Sequence, residues 1–444
     1  PEDLNALSRQ IWASGVTRTA AGNMVQRGHD VRELAAQFGT PLFVLDQDDF
    51  RTRAGGYAAA FANADVYYAS KAFTCIAVLR WIAEEGLSLD VATAGELAVA
   101  ERAKFPSERV LFHGNNKSTE ELKRAVDLGV GRIVIDSDVE IDRLVSVATA
   151  RGVRQRVLVR VTVGVEAHTH EYIATAHEDQ KFGFSLSSGA ALAAIERVLA
   201  EPALELVGLH SHIGSQIFDT SGFEVAAHRT VSLLAQIRDA HGFELPELNL
   251  GGGLGIAYVE GDDPADVASV ARSLSTIVER ECESYGLAAP RLAVEPGRAI
   301  VGPSMSTVYQ VGTVKPIELD GGLVRIYVSV DGGMSDNPRT ALYGAEYTSV
   351  VASRSSTAEP VLARIVGKHC ESGDVVVNDA WLPGDIEPGD LIAVAATGAY
   401  CRSMASNYNM VGRPPVVAVS GAEGARVVVR RETEDDLLAL DTGA

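Results

Sequence analysis

The chain is short of cysteine, of positive charge and of long apolar runs, and each shortage excludes something. Four cysteines in 444 residues, Cys75, Cys282, Cys370 and Cys401, are too scattered for the Cys-x-x-Cys pairs of a structural zinc site. Lys and Arg number 39 against 59 Asp and Glu, and the net charge of -20 would repel nucleic acid and anionic membrane surfaces alike. No apolar run is long enough to span a bilayer. The first residues, Pro1-Glu2-Asp3-Leu4, have neither the basic start nor the apolar core of a signal peptide. A reducing, cytoplasmic setting is expected. With 46% hydrophobic and 22% charged residues the composition is that of a globular protein, and the length points to two domains.

What is present begins with Asp65-Val66-Tyr67-Tyr68-Ala69-Ser70-Lys71-Ala72-Phe73, which reads as a buried strand ending on a lysine, with a helix behind it. From there, apolar runs near residues 66–69, 87–90, 110–113, 133–136, 157–161, 206–212, 248–250 and 292–295 alternate with helical segments such as 95–104, 119–128 and 223–240. Eight such units predict a parallel sheet closed into a (β/α)8 barrel. Beyond about Pro303 the helical period fades, and strand-like runs with Gly, Pro and Asp turns predict a β barrel or sandwich. Residues 41–45 read as a strand that joins it. The expected division is thus residues 1–46 with the C-terminal β domain, 47–303 as barrel, and 304–444 as the rest of the β domain. The last dozen residues read as a loose tail.

The predicted strands end, in order, on Lys71, Asp90, His113-Gly114-Asn115-Asn116, Asp136, Arg160, His210-Ser211-His212, Gly251-Gly252-Gly253 and Glu295-Pro296-Gly297-Arg298. In a barrel these ends converge on one mouth, where such folds keep their chemistry. An amine there, stripped of water, loses its proton and attacks carbonyls. Four glycines in the five residues 251–255 allow backbone N–H groups to close on a phosphate, as the loops after strands seven and eight of barrels often do. A lysine, a phosphate cup, an acid (Glu295) and an imidazole (His212) are together what pyridoxal 5'-phosphate (PLP) needs.

These motifs, with Tyr68-Ala69-Ser70-Lys71-Ala72, His210-Ser211-His212-Ile213-Gly214-Ser215-Gln216 and His369-Cys370-Glu371-Ser372-Gly373-Asp374, resemble the alanine-racemase-like fold type of PLP enzymes. Within it the chain resembles the diaminopimelate decarboxylases, over residues 41–414. The resemblance implies that Lys71 bonds the cofactor. Asp90, His212, Ser215, Gly253, Glu295, Pro296, Gly297, Arg298 and Tyr400 would contact its ring or phosphate. It further implies that Arg298, Arg339, Tyr343, Glu371 and Tyr400 bind substrate, and that Cys370 donates a proton at the site of the other copy in a homodimer. The implied reaction converts meso-2,6-diaminopimelate to L-lysine and CO2, the last step of lysine biosynthesis.

Read from the residues themselves, two arginines suit a dicarboxylate, and Glu371 suits its distal ammonium. A buried cysteine in a β domain is more often a small hydrophobe than a catalyst, so the catalytic role of Cys370 rests on the resemblance. Decarboxylases of ornithine or arginine share the fold, but their substrates lack a second carboxylate. A metal-dependent barrel hydrolase using His210 and His212 is the rival from another class. The cluster His168, His170, Glu171, His177, Glu178 and Asp179 has no distinctive ligand spacing, and no metal is expected there. Lys181, in a long loop, ranks below Lys71 as the reactive amine.

Overall fold

Strand and helix signals along the chain resolve into two units in the computed structural model, which describes residues 3–165 and 180–443. The α/β unit comprises Ala54–Gly255 and Pro264–Gly297; the β-rich unit comprises Pro1–Arg53, Ile256–Asp263 and Arg298–Ala444. The division thus falls inside the helix Gln47–Ala60 and assigns a short loop after the glycine run to the β-rich unit.

The α/β unit is a closed parallel barrel. Its strands are β1 (Asp65–Ala69), β2 (Ser88–Val91), β3 (Val110–Phe112), β4 (Arg132–Ile135), β5 (Gln155–Thr162), β6 (Leu204–His210), β7 (Glu247–Asn249) and β8 (Arg291–Val294). Each pairs in parallel with the next, and Ala293 opposite Asp65 closes the ring. A two-residue strand, Phe184–Ser185, extends the edge of β5 and carried no clear signal in the sequence. Tyr67, Leu111, Val134, Leu158, Val207 and Ala293 form a buried cluster drawn from several strands. Removing such apolar area from water is the main force holding the ring closed.

Local chemistry fixes where the helices start. Thr93, Ser118 and Ser137 each accept a hydrogen bond from the backbone N–H of a glutamate three residues on, at Glu96, Glu121 and Glu140. This is the Ser/Thr-x-x-Glu signature of a helix N-terminus. At Ser118 both halves of the capping box are present. Gly129 and Gly152 close the helices Thr119–Leu128 and Asp138–Arg151 in the left-handed conformation, where a side chain would be strained.

The β-rich unit is built on the long strand Met305–Glu318. Its first residues pair antiparallel with Leu42–Asp46 and Leu391–Val394, and its second half pairs with Val324–Val330. Leu42–Asp46 is flanked on its other side by Val416–Ser420 in parallel. Both of these strands are buried along their whole length, which explains their unbroken apolar reading. Asp46 ends its strand by accepting the backbone N–H of Asp49 at 3.0 Å, so it caps the next helix. Three short strands at Val16–Arg18, Met24–Gln26 and His29–Asp30 form a separate sheet. The loose tail expected at the C-terminus is corrected: Glu434–Leu438 is a helix with a Thr433–Asp436 capping box. Among the described residues no helix is long and apolar enough to cross a membrane.

Candidate active site

At the C-terminal ends of the barrel strands the polar residues converge on Glu295. Its Oε2 lies 2.6 Å from His113 Nε2 and accepts from Asn249 Nδ2 at 3.0 Å. His210 Nε2 reaches the same carboxylate at 3.1 and 3.2 Å. Burial alone would push this carboxyl up, but the His113 and His210 imidazoles outweigh it and hold it well below the usual carboxylate range. An ionised carboxylate only accepts hydrogen bonds, so both Nε2 atoms carry hydrogen. Burial lowers His210 to about 4, which leaves a neutral ring whose buried Nδ1 has no partner.

Asp90, at the end of β2, stands 3.7 Å from the same His113 Nε2. Burial raises it to about 7, with the Glu295 charge adding to the effect and His113 and Lys71 opposing it. Lys71 lies in the turn directly after β1 and is exposed, not shielded as a lysine desolvated by its surroundings would be. Its charge still reaches Asp90 and His212. Half-buried His212 is held well below its ordinary value, first by loss of water and then by Lys71 and Arg160. At neutral pH it is an uncharged ring.

The glycine loops are dictated by close approach. A Cβ on Gly253, which has φ +103, would come 2.2 Å from the carbonyl oxygen of Gly214. Here the loop after β7 is zipped to the loop after β6, with Ile217 N–H donating to Gly253 O at 2.9 Å and Gly255 N–H to Ile217 O at 3.0 Å. A Cβ on Gly297 would sit 2.9 Å from Ala69 Cβ and Ala69 O, and Pro296 O accepts the Ala69 N–H at 3.1 Å. The loop after β8 therefore lies directly against the strand that presents Lys71. Ser215 is exposed in the loop after β6.

Behind the mouth lies a buried pair that sequence reading missed. Lys117 Nζ donates to Glu140 Oε1 at 2.6 Å, to Val134 O at 2.6 Å and to Gly114 O at 2.7 Å. Glu140 Oε2 takes the Asp136 N–H at 2.8 Å, and Asp136 Oδ1 takes the Gly183 N–H at 2.8 Å. Ser137-x-x-Glu140 caps the helix Asp138–Arg151, but nothing local in the sequence indicates that its carboxylate is spent on a buried lysine. Lys181 Nζ rests over the Phe182 ring at 4.9 Å. His168, His170, Glu171, His177, Glu178 and Asp179 lie outside the described residues.

The β-rich unit carries the other predicted residues. Arg298 donates from Nη1 to the Tyr258 hydroxyl at 2.5 Å, and its guanidinium lies 4.8 Å from the centre of the Tyr400 ring. Arg339 is 7% exposed and donates from Nη1 to Tyr347 OH at 2.6 Å. Among the described residues neither guanidinium pairs with a carboxylate. Tyr343, at the end of the helix Arg339–Tyr343, is exposed. Cys370 is exposed and donates its N–H to Asn409 Oδ1 at 3.1 Å. Glu371 is exposed and accepts the Gly373 N–H at 3.2 Å.

Residues 47–302 match the family model described as the pyridoxal-binding domain of pyridoxal-dependent decarboxylases. The chain is 59% identical to the diaminopimelate decarboxylase of Mycobacterium tuberculosis over 99% of both chains. It belongs to the diaminopimelate decarboxylase family. The family member of Bacillus subtilis is 47% identical over 95% of each chain. Among solved structures, diaminopimelate decarboxylase from M. jannaschii in complex with L-lysine is 31% identical, with a TM-score of 0.89 over 97% of this chain and 98% of that one. The Helicobacter pylori enzyme, also with L-lysine, is 30% identical with a TM-score of 0.82, over 92% of this chain and 98% of that one.

Among the described residues, the ligand-type atoms that cluster are those of His113, His210 and Glu295, within 4.8 Å of one another. They do not include His212, whose Nδ1 accepts the Gly252 N–H at 3.4 Å. The pairing of His210 with His212 expected of a barrel hydrolase is thus not the cluster that forms.

Proposed function

We propose that this family member decarboxylates meso-2,6-diaminopimelate to L-lysine and CO2, using pyridoxal 5'-phosphate. The observation that carries the substrate assignment is the pair of guanidiniums, Arg298 and Arg339, with no carboxylate partner among the described residues. A partly buried cation without a counter-ion is costly unless a ligand supplies one. Two of them suit a substrate with two carboxylates. The binding of L-lysine by the M. jannaschii and H. pylori relatives supports the product.

The residues at the barrel mouth fit the cofactor. Beside the ionised Glu295, the buried polar atoms Thr74 Oγ1, His210 Nδ1 and Ser211 Oγ have no protein partner, so the site offers polar contacts to a polar guest. When bound, the cofactor's ring accepts the electron pair released as CO2 leaves. Lys71 would hold the cofactor through its amine. Glu295, kept anionic by His113 and His210, would retain a proton on the pyridine nitrogen, and neutral His212 would contact the ring. Asp90, Ser215, Gly253, Pro296, Gly297, Arg298 and Tyr400 would complete the ring and phosphate contacts.

Arg298, Arg339, Tyr343 and Tyr400 bind the substrate carboxylates, and Glu371 binds the distal ammonium. Exposed Cys370 delivers the proton to the α-carbon, at the site of a second copy in a homodimer. Among the described residues no two cysteines are joined by a disulfide, in keeping with the reducing cytoplasm we propose as its setting. Parallel assays of CO2 release from meso-diaminopimelate, ornithine and arginine test the assignment. A preference for either monocarboxylate would overturn it, as would activity that depends on an added metal and not on pyridoxal phosphate. Mixing inactive Lys71→Ala with inactive Cys370→Ala tests the shared site. Activity returns if Cys370 serves the other copy, and stays absent, despite proven subunit exchange, if it does not.

A further inference from the structure

We infer that Tyr258 is a positioning residue that sets the spacing of the Arg298 and Arg339 guanidiniums and thereby tunes the site to a dicarboxylate. The inference rests on the substrate reading above and deepens it. Tyr258 lies in Ile256–Asp263, the short segment that belongs to the β-rich unit, and it is 6% exposed. Its backbone is fixed from both sides. The N–H donates to Asp262 Oδ2 at 2.8 Å, and the carbonyl accepts from Thr348 N–H at 3.2 Å and Thr348 Oγ1 at 2.8 Å. The neighbouring Tyr347 ring meets it edge-on, 5.3 Å away at 82°.

Both arginines converge on this one fixed ring. Arg298 approaches at the hydroxyl, at 2.5 Å from Nη1 and 5.8 Å from the ring centre. Arg339 stands 4.9 Å from the same centre, while its Nη1 is tied to Tyr347 OH at 2.6 Å. Two guanidiniums this near each other repel, and no carboxylate neutralises either among the described residues. The negative face and phenol oxygen of the tyrosine hold them in place without cancelling their charge. An acidic residue in this position would hold them as well, but it would compete with the substrate for both forks. A tyrosine leaves each guanidinium with free N–H groups. With the ring pinned by its own backbone and by Tyr347, the separation of the two forks is set before the substrate arrives, as preorganised binding requires.

Tyr258→Phe removes the bond to Arg298 and keeps the ring; Tyr258→Leu removes both supports. Steady-state kinetics with meso-diaminopimelate and the absorbance of the lysine–cofactor linkage are read on the holoenzymes. Tyr258→Phe should raise KM about tenfold and Tyr258→Leu more, with kcat within about twofold and the absorbance band unchanged. A purely structural residue would lower kcat and the band together. An unchanged KM in Tyr258→Phe, or loss of kcat in step with the band, overturns the inference. Should Tyr258→Leu fail to fold, Tyr258→Phe decides alone. Wild-type protein that releases no CO2 from this substrate would sink the substrate reading itself, whereas an active wild type with an indifferent Tyr258→Phe sinks only the role of Tyr258.

Discussion

His113 Nε2 sits between two carboxyl groups, 2.6 Å from Glu295 and 3.7 Å from Asp90, and the two acids respond in opposite ways. Glu295 is held low and stays ionised; Asp90 is raised to about 7. Paired titratable groups pushed apart in this way mark functional sites more often than purely structural ones.

The raised Asp90 gives a pH-dependent stability prediction. Between its unfolded value of 3.8 and its folded value of about 7, the native state binds the extra proton. The native state is therefore favoured below that window, and the advantage is lost as pH rises through about 7. Asp90→Asn, which mimics the protonated form, should raise the melting temperature of cofactor-free protein at pH 8. The gain, of roughly 1–3 kcal/mol, should shrink towards zero at pH 4. Thermal melts at the two pH values check it, and an equal gain at both would remove the titration argument.

The Lys117–Glu140 pair is buried at both ends, with side chains 0% and 3% exposed. Burial disfavours each charge, lowering Lys117 and raising Glu140. Removing one partner strands the other, so Lys117→Met or Glu140→Gln alone should cost about 3–5 kcal/mol. The double replacement Lys117→Met/Glu140→Gln should cost less than the sum of the two single changes. Chemical denaturation of the four proteins measures the coupling, and strict additivity would mean that the pair is not energetically linked.

Arg339→Lys keeps the charge but cannot grip a carboxylate with a planar fork. It also loses the stacking on Tyr258. KM for meso-diaminopimelate should rise by roughly 10–100-fold, with a smaller effect on kcat. Steady-state kinetics decide, and a KM within twofold of wild type would remove Arg339 from the substrate site.

The barrel was legible because each strand is a short apolar run that stops on a polar or glycine residue, and that alternation survives without any tertiary information. Lys71, His113, His210 and Glu295 were visible as strand ends for the same reason. That His113 and His210 share one carboxylate was not visible, since strands β3, β6 and β8 are brought together only by closure of the ring. Tyr258 gave no signal, because a tyrosine beyond a glycine run has no periodicity to mark it and its arginine partners lie 40 and more positions away. Lys117 gave no signal either. Its burial depends on a glutamate one βα unit further on, and a lysine that far inside runs against the ordinary preference of the residue. The short strands at 16–30 were hidden by brevity, and the capped C-terminal helix by its five-residue length.

The central claim is that Lys71 carries a pyridoxal cofactor for decarboxylation of a diamino dicarboxylate. The most direct measurement is the absorbance of purified protein given pyridoxal phosphate, followed by meso-diaminopimelate with CO2 and L-lysine assayed in the same tube, for wild type and Lys71→Ala. Wild type should show a band near roughly 420 nm, as expected for a lysine–pyridoxal linkage, and release CO2 and L-lysine in equal amounts, with band and turnover both absent in Lys71→Ala. A band and turnover that persist in Lys71→Ala, or a wild type that shows neither, would contradict it.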